Sequence, residues 1–295
     1  MQPLRKVISK LKLRASYGQV GNANLGGRRF AYLSTITDDY DTLNMYKWGL
    51  DSSYGLTGMA EGEFAVQDLT WEIVNKMNLG VELGFLNGMI DLQLDYFDER
   101  RKDIFMPRES VPMTAGFMKQ PWKNFGKVTN QGVEVSLNVN KQFGKDLFVS
   151  LMGTFTYAHN EITEKDEPSA VVGTNRAETG HPVGQLTGYI AEGLFTEDDF
   201  EDVSTGKLKE GIPTQSFVSK LRPGDIRYRD VNGDGKVDVF DKSPIGGTKD
   251  PEIVYGFGLN MKYKDLDFGA LFQGIGRSWN ILGSSIIPGA NRGVT

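Results

Sequence analysis

Apolar and polar residues alternate with a period of two over long stretches of this chain. From Trp71 to Phe85, Trp71, Ile73, Met77, Leu79, Val81, Leu83 and Phe85 share one parity, while Glu72, Lys76, Asn78, Gly80, Glu82 and Gly84 share the other. That pattern predicts a strand with one apolar and one polar face. Asn87-Gly88 follows, a strong hairpin signal, and Ile90, Leu92, Leu94 and Tyr96 return against Asp91, Gln93 and Asp95. The unit recurs: Val133, Val135, Leu137 and Val139 alternate with Glu134, Ser136, Asn138 and Asn140, turn at Gly144-Lys145-Asp146, and return through Leu147, Val149, Leu151, Phe155 and Tyr157. A third hairpin runs from Ile253 to Phe272 around a turn at 264–266, and Leu11, Leu13, Ala15 and Tyr17 mark an earlier strand.

The turns at 87–88, 144–146 and 264–266 are short, whereas the connections at 21–68, 106–127 and 162–252 are long. A meander with tight turns on one rim and long loops on the other is the layout of an all-β, antiparallel transmembrane barrel with periplasmic turns and extracellular loops. Strand runs of about 13 to 17 residues exceed the length usual in globular proteins and meet the ~9 to 11 needed to cross a bilayer at a tilt. Trp71, Phe85, Tyr96, Phe97, Phe143, Phe148, Tyr157, Tyr255, Tyr263 and Phe268 lie near strand ends, where interfacial girdles would sit. Periodicity alone leaves open a soluble protein whose apolar face packs on a second sheet.

Composition agrees with turn-rich β structure: 36 glycines, 11% aromatics and only 39% hydrophobic residues. A formal net charge of -5 over 295 residues suggests neither a nucleic-acid partner nor a polybasic membrane anchor. The absence of cysteine excludes a disulfide framework and any Cys-based metal or redox site. No apolar run approaches the ~18 residues of a spanning helix, so a membrane crossing would need strands. Met1 to Lys12 lacks the apolar core of a secretory signal and Gly289 to Thr295 is glycine-rich, so the chain reads as an internal piece of a longer protein.

The sharpest chemical motif runs from Asp230 to Asp241. Oxygen side chains of Asp230, Asn232, Asp234, Asp238 and Asp241 fall at positions 1, 3, 5, 9 and 12, with Gly235 at 6 and the Lys236 carbonyl at 7. This spacing predicts a structural Ca2+ loop, although Asp replaces the longer Glu at position 12 and no flanking helices are evident. The alternative is a solvated Asp/Asn/Gly turn. Enzyme signatures are missing: His159 and His181 stand apart, and no H-E-x-x-H, Walker A or G-x-S-x-G sequence occurs. No catalytic residue is assigned, and His159 reads as a polar group of the rim or lumen. The acidic run Glu197, Asp198, Asp199, Glu201 and Asp202 reads as a solvated loop or the first turn of a short helix. Tyr189, Phe195, Phe200, Phe217 and Tyr228, in the long connection, either stack on sugars or a partner lipoprotein or pack the loop onto itself.

Several segments in order resemble the barrel of SusC/RagA-family TonB-linked outer-membrane proteins. They are LKLRASYGQVGNANLG at 11–26, AYLST at 31–35, DLTWEIVNKMNLGVELGFLNGMIDLQLDYFDERRKDIF at 68–105, NQGVEVSLN at 130–138, GDIRYRDVNGDGKVDVFDKSPIG at 224–246 and YGFGLNMKYKDLDFGALFQGIG at 255–276. The resemblance covers most of the chain. It implies part of a barrel of about 22 strands around a plug that this chain lacks. It further implies active import of an oligomeric nutrient, a glycan ahead of a peptide, with a SusD-like surface lipoprotein and with TonB as energy coupler. This piece would form a curved open sheet of about seven to nine strands, with Glu72, Lys76, Asn78, Glu82, Glu134, Asn138 and Asn140 facing the water-filled lumen. A secreted, calcium-stiffened β-sandwich that binds carbohydrate and a passive porin are the competing readings.

Overall fold

The computed structural model describes residues 7–37, 46–48, 50, 54–56, 59–116 and 119–282, so the expectations for residues 1–6 and 289–295 lie outside the described residues. Seven long strands form one sheet: β1 (Ile8–Asn22), β2 (Glu72–Phe85), β3 (Ile90–Pro107), β4 (Trp122–Phe143), β5 (Leu147–Glu164), β6 (Ile253–Tyr263) and β7 (Leu266–Gly276). Each pairs antiparallel with its neighbour in the chain, in the order β1 to β7. This is the predicted all-β meander, an open sheet with β1 and β7 at its edges. The second and third long connections are shorter than the sequence pattern suggested, because β3 reaches Pro107, β4 starts at Trp122 and β5 runs to Glu164.

Two of the tight turns match the sequence and one departs from it. Tyr263 pairs with Leu266 around Lys264-Asp265, and Phe143 pairs with Leu147 around Gly144 at φ 61. The 87–88 turn is longer than the Asn-Gly pair implied. Phe85 pairs with Ile90, and Leu86, Asn87 and Gly88 all take positive φ in a short 3-10 turn. Outside contacts hold it open: the Leu86 N–H donates to the Val7 carbonyl, and the Asn140 N–H to the Met89 carbonyl.

Register sorts the residues into continuous rows. One row on the apolar face runs Leu13, Val81, Leu94, Val135, Phe155 and Tyr255; the next runs Leu11, Leu83, Leu92, Leu137, Gly153, Phe257 and Phe272. The opposite face carries Lys12, Glu82, Gln93, Ser136, Thr154, Gly256 and Gln273 in one row. All seven residues expected in the lumen lie on this polar face. Among the named aromatics, Phe97 and Phe148 are corrected to the polar parity, because Phe97 registers with Gly132 and Phe148 with Gln142. Phe97 is there for space: a Cβ on Gly132 would lie 2.4 Å from its ring.

The connection between β5 and β6 is folded. Four two-stranded ribbons build it: Thr187–Gly188 with Ser243–Pro244, Ala191–Leu194 with Ile226–Tyr228, Phe200–Asp202 with Lys207–Leu208, and Thr214–Gln215 parallel to Lys236–Val237. Phe195, Phe200 and Leu221 form its core, with Leu208, Ile212 and Val218 packed around them. The acidic run opens as the expected short turn, a 3-10 turn at Glu197–Asp199 closed by a Thr196–Asp199 capping box.

Candidate functional site

The two faces of the sheet have opposite chemistry, and each meets a different medium. Leu13 is 73% exposed, Tyr17 76%, Phe257 53% and Leu266 73%, all on the apolar face. Among the described residues the only other sheets are two-stranded ribbons in the connections, so no second sheet packs on this face. An exposed apolar surface of this extent is incompatible with water and compatible with hydrocarbon. The β-sandwich reading requires that missing second layer.

The apolar band has edges. At the long-connection end, one row beyond Tyr96, Val133 and Tyr157, this face turns polar: the Gln131 amide donates to Asp98 Oδ2 at 2.7 Å and Arg100 Nε to Asp98 Oδ1 at 2.9 Å. Farther along, Gln19 donates to Asn75. At the tight-turn end Phe143, Leu147, Tyr263 and Leu266 close the band, and the Lys141 ammonium lies 5.9 Å from the Phe143 ring. The ten-residue step from Val133 to Phe143 is roughly 34 Å along a strand and about 25 Å once tilted, the height of an outer-membrane barrel's lipid band.

The polar face divides into two chemistries. Across β1 to β3 it is charged and internally neutralised. Lys10 and Lys12 hold Glu82 at 2.8 and 3.1 Å, Lys76 holds Glu99 at 2.7 Å, and Arg101 holds Glu72 at 2.9 Å. Arg14 spans from β1 over β2 to bond both Asp95 oxygens on β3 at 2.8 Å. Gly80 makes that crossing possible, since a Cβ there would lie 2.4 Å from Asp95 Oδ1. Across β4 to β7 the wall is mainly neutral, with Ser136, Asn138, Asn140, Ser150, Thr154, Thr156, Asn260 and Gln273 in register; Glu134 is an exposed carboxylate among them. Arg14 and Asp95 escape sequence reading because their pairing depends on which strands flank β2.

The folded connection leans over this polar face. A cavity of about 670 Å3 has Val74, Val128 and Ile162 of the wall on one side and Pro182, Val183 and Thr248 of the connection on another. Asp166 ties the connection to the β3–β4 loop. It is buried, accepts from the Ser110 N–H at 3.0 Å and the Ser110 hydroxyl at 2.9 Å, and forms an ion pair with Arg108, whose Nε lies 3.1 Å away. Burial pushes the Asp166 carboxyl up, but the Ser110 N–H, Arg108 and the Ser110 hydroxyl together outweigh it and hold the group below its ordinary value of 3.8. A carboxyl depressed on folding stabilises fully above its unfolded value and loses that contribution as pH falls through the folded one. Hydrogen exchange at the Ser110 amide, taken relative to its intrinsic rate at each pH, is therefore expected to stay slow from neutral pH to about pH 4 and to accelerate below it. In Asp166→Asn the acceleration step should vanish; an unchanged pH profile would remove Asp166 from this role.

The six predicted metal ligands lie in one loop, where the side-chain oxygens of five of them accept backbone N–H groups. Asp230 accepts from the N–H groups of Gly233 and Gly235 with separate oxygens. Asn232 Oδ1 accepts from the Asp234 N–H, and Asp234 Oδ1 from the Lys236 N–H. Asp238 Oδ1 accepts from the Phe240 N–H, and its Oδ2 lies 3.3 Å from the Lys236 ammonium. That Phe240 bond outweighs the burial of Asp238, and with Lys236 it holds the carboxyl below its ordinary value. Asp241, fully buried, takes the N–H groups of Val231, Asn232 and Asp238 on its two oxygens. Among the described residues no three acidic or histidine side chains are arranged to hold a metal. In this arrangement the loop is an aspartate-centred turn. His159, on the apolar-face parity just beyond Tyr157, bonds Glu252 at 2.5 Å.

The loop aromatics divide. Phe195 and Phe200 are core, whereas Tyr189, Phe217 and Tyr228 form a separate cluster with centroids 4.9 to 5.7 Å apart.

Residues 4–278 match the family model described as TonB dependent receptor-like, beta-barrel. TonB-dependent receptor SusC of Bacteroides thetaiotaomicron is 29% identical over 269 residues, which cover 89% of this chain and 24% of that protein. TonB-dependent receptor P26 of Formosa agariphila is 28% identical over 279 residues, covering 92% of this chain and 26% of the relative. The chain thus spans about a quarter of the length of the relatives it matches. Among solved structures, the RagAB peptide transporter superposes with a TM-score of 0.62 at 23% identity over 93% of this chain and 27% of that one, a likeness of fold. With its apolar band, its polar wall and its alternation of tight turns and long connections, the chain belongs to the TonB-dependent receptor β-barrel family, as part of an outer-membrane barrel.

Proposed function

We propose that this chain supplies part of the wall and the extracellular cap of a TonB-dependent importer that takes oligomeric nutrients across the outer membrane, glycans ahead of peptides. A SusD-like surface lipoprotein would act as its partner on the extracellular side and TonB as its energy coupler. The observation that carries the proposal is the two-faced sheet: a lipid-ready band on one side and a wall of mainly polar side chains on the other. Glycans come first because the β4 to β7 wall offers mostly neutral hydroxyl and amide groups, the partners that sugar hydroxyls exchange most readily with water. The peptide alternative is favoured by the described cargo of RagAB.

Cells carrying the complete protein should accumulate a fluorescent neutral oligosaccharide, and only with functional TonB and an energised inner membrane. Uptake that persists without TonB would make the protein a passive porin. Uptake of oligopeptides to the exclusion of oligosaccharides would reassign the cargo. The position-by-position spacing of 230–241 supports a second proposal, that calcium stiffens the cap there; limited proteolysis in excess chelator and in calcium tests it.

A further inference from the structure

We infer that Phe217, Tyr228 and Gln215 form a sugar-binding subsite in the extracellular cap, taking a neutral pyranose ring. The inference rests on the glycan-import reading and names one place where the cargo is held. Three ribbons converge at this point: Tyr228 ends the Ile226–Tyr228 strand, Phe217 follows Thr214–Gln215, and Tyr189 follows Thr187–Gly188. The rings are therefore mounted on hydrogen-bonded backbone. Phe217 is tilted 32° against Tyr189 and 66° against Tyr228, and it remains 47% exposed, as does Ile226 beside it at 45%.

A concavity of about 340 Å3 is lined by Gln215, Phe217, Val218, Asp225, Ile226 and Tyr228. Gln215 is only 4% exposed. Its Nε2 donates to the Ile226 carbonyl at 2.9 Å, which fixes the amide orientation. Its Oε1 is shielded and has no hydrogen-bond partner. A buried acceptor without a donor is uncommon in folded proteins and calls for a ligand or water. Asp225 turns one oxygen to the Arg222 N–H at 2.7 Å.

The exposed ring of Phe217 with half-buried Tyr228 beside it, a shielded amide oxygen that lacks a donor and a neighbouring carboxylate are complementary to a sugar. The C–H face of the ring packs on Phe217 and Tyr228, hydroxyl donors reach Asp225, and Gln215 Oε1 accepts another once the ring displaces the side chains that shield it. The volume lies at the small end of ligand sites and suits one ring. A protein partner would need a face of about 800 Å2, so the concavity favours the smaller occupant over the lipoprotein.

The test uses the complete protein in detergent against an immobilised panel of neutral oligosaccharides, with a tripeptide library as comparison. Phe217→Ala and Tyr228→Ala should each weaken oligosaccharide binding about tenfold, with Phe217→Trp restoring it. Gln215→Met, which keeps the length of the side chain and removes the amide oxygen, should weaken binding at a temperature where circular dichroism shows the variant folded. Oligosaccharide binding unchanged in Phe217→Ala and Tyr228→Ala would overturn the subsite and leave the import proposal standing. A wild-type protein that binds tripeptides and no oligosaccharide would overturn both. Weakened binding in both alanine variants, rescued by Phe217→Trp, supports the subsite.

Discussion

Leu137→Arg is expected to destabilise the folded barrel by about 2–4 kcal/mol, and Asn138→Arg, its immediate neighbour, by less than about 1 kcal/mol. The two positions differ only in the face they occupy. Leu137 lies between Val133 and Phe143, the two edges of the apolar band, in the row of Leu83, Leu92 and Phe257. A guanidinium there must enter hydrocarbon or distort the bilayer, with no polar residue in its row to receive it. Asn138 lies in the polar row with Asp91, so an arginine gains a carboxylate in place of lipid. Urea unfolding of the complete protein in lipid vesicles measures both. Cysteines at Leu79, Val81 and Leu137 should also react with lipid-phase reagents and resist aqueous ones. Equal destabilisation at 137 and 138 would show that both faces meet the same medium and that the barrel reading is wrong.

Period two fixes which face a residue takes once its neighbours are known, so the seven strands and the inner positions from Glu72 to Asn140 were legible in the residues alone. So were the turns at Gly144 and Lys264, where a positive φ must be placed. The Asn87 turn was not, because contacts with Val7 and Asn140 from other segments set its shape. Phe97 and Phe148 were misplaced for a related reason. An aromatic near a strand end suits a girdle, but parity puts these two inside, where Gly132 leaves room for Phe97.

The site was less legible than the fold because its groups come together across strands and ribbons. Arg14, Gly80 and Asp95 are far apart in sequence and adjacent only once β1, β2 and β3 are laid side by side. The long connection offered five aromatics with no periodicity to sort them. Only the ribbon pairings separate buried Phe195 and Phe200 from Phe217. The calcium motif shows the opposite limit. Its spacing is read directly from the chain, yet spacing does not say whether the oxygens turn toward a cation or toward backbone N–H groups.

Asp241→Asn is expected to destabilise the cap by about 1–3 kcal/mol, the range for leaving a buried backbone donor without its acceptor. Asp241 is 0% exposed, and its two oxygens receive the N–H groups of Val231 at 2.8 Å, Asn232 at 3.3 Å and Asp238 at 2.7 Å. An amide at this position must turn its own NH2 toward at least one of those donors, so one backbone group loses its acceptor and meets a like dipole. Asp234→Ala removes a carboxylate on the exposed part of the loop, where it serves a local turn to Lys236, and is expected to cost less than about 1 kcal/mol. Limited proteolysis between 187 and 245 in the complete protein reports cap opening, run in excess chelator and in calcium. Protection of the wild type in chelator, lost in Asp241→Asn and kept in Asp234→Ala, places the carboxylate itself at the centre of the loop. A wild type that opens in chelator and closes in calcium, with Asp234→Ala as damaging as Asp241→Asn, would instead show that a cation draws Asp241 away from these three backbone partners.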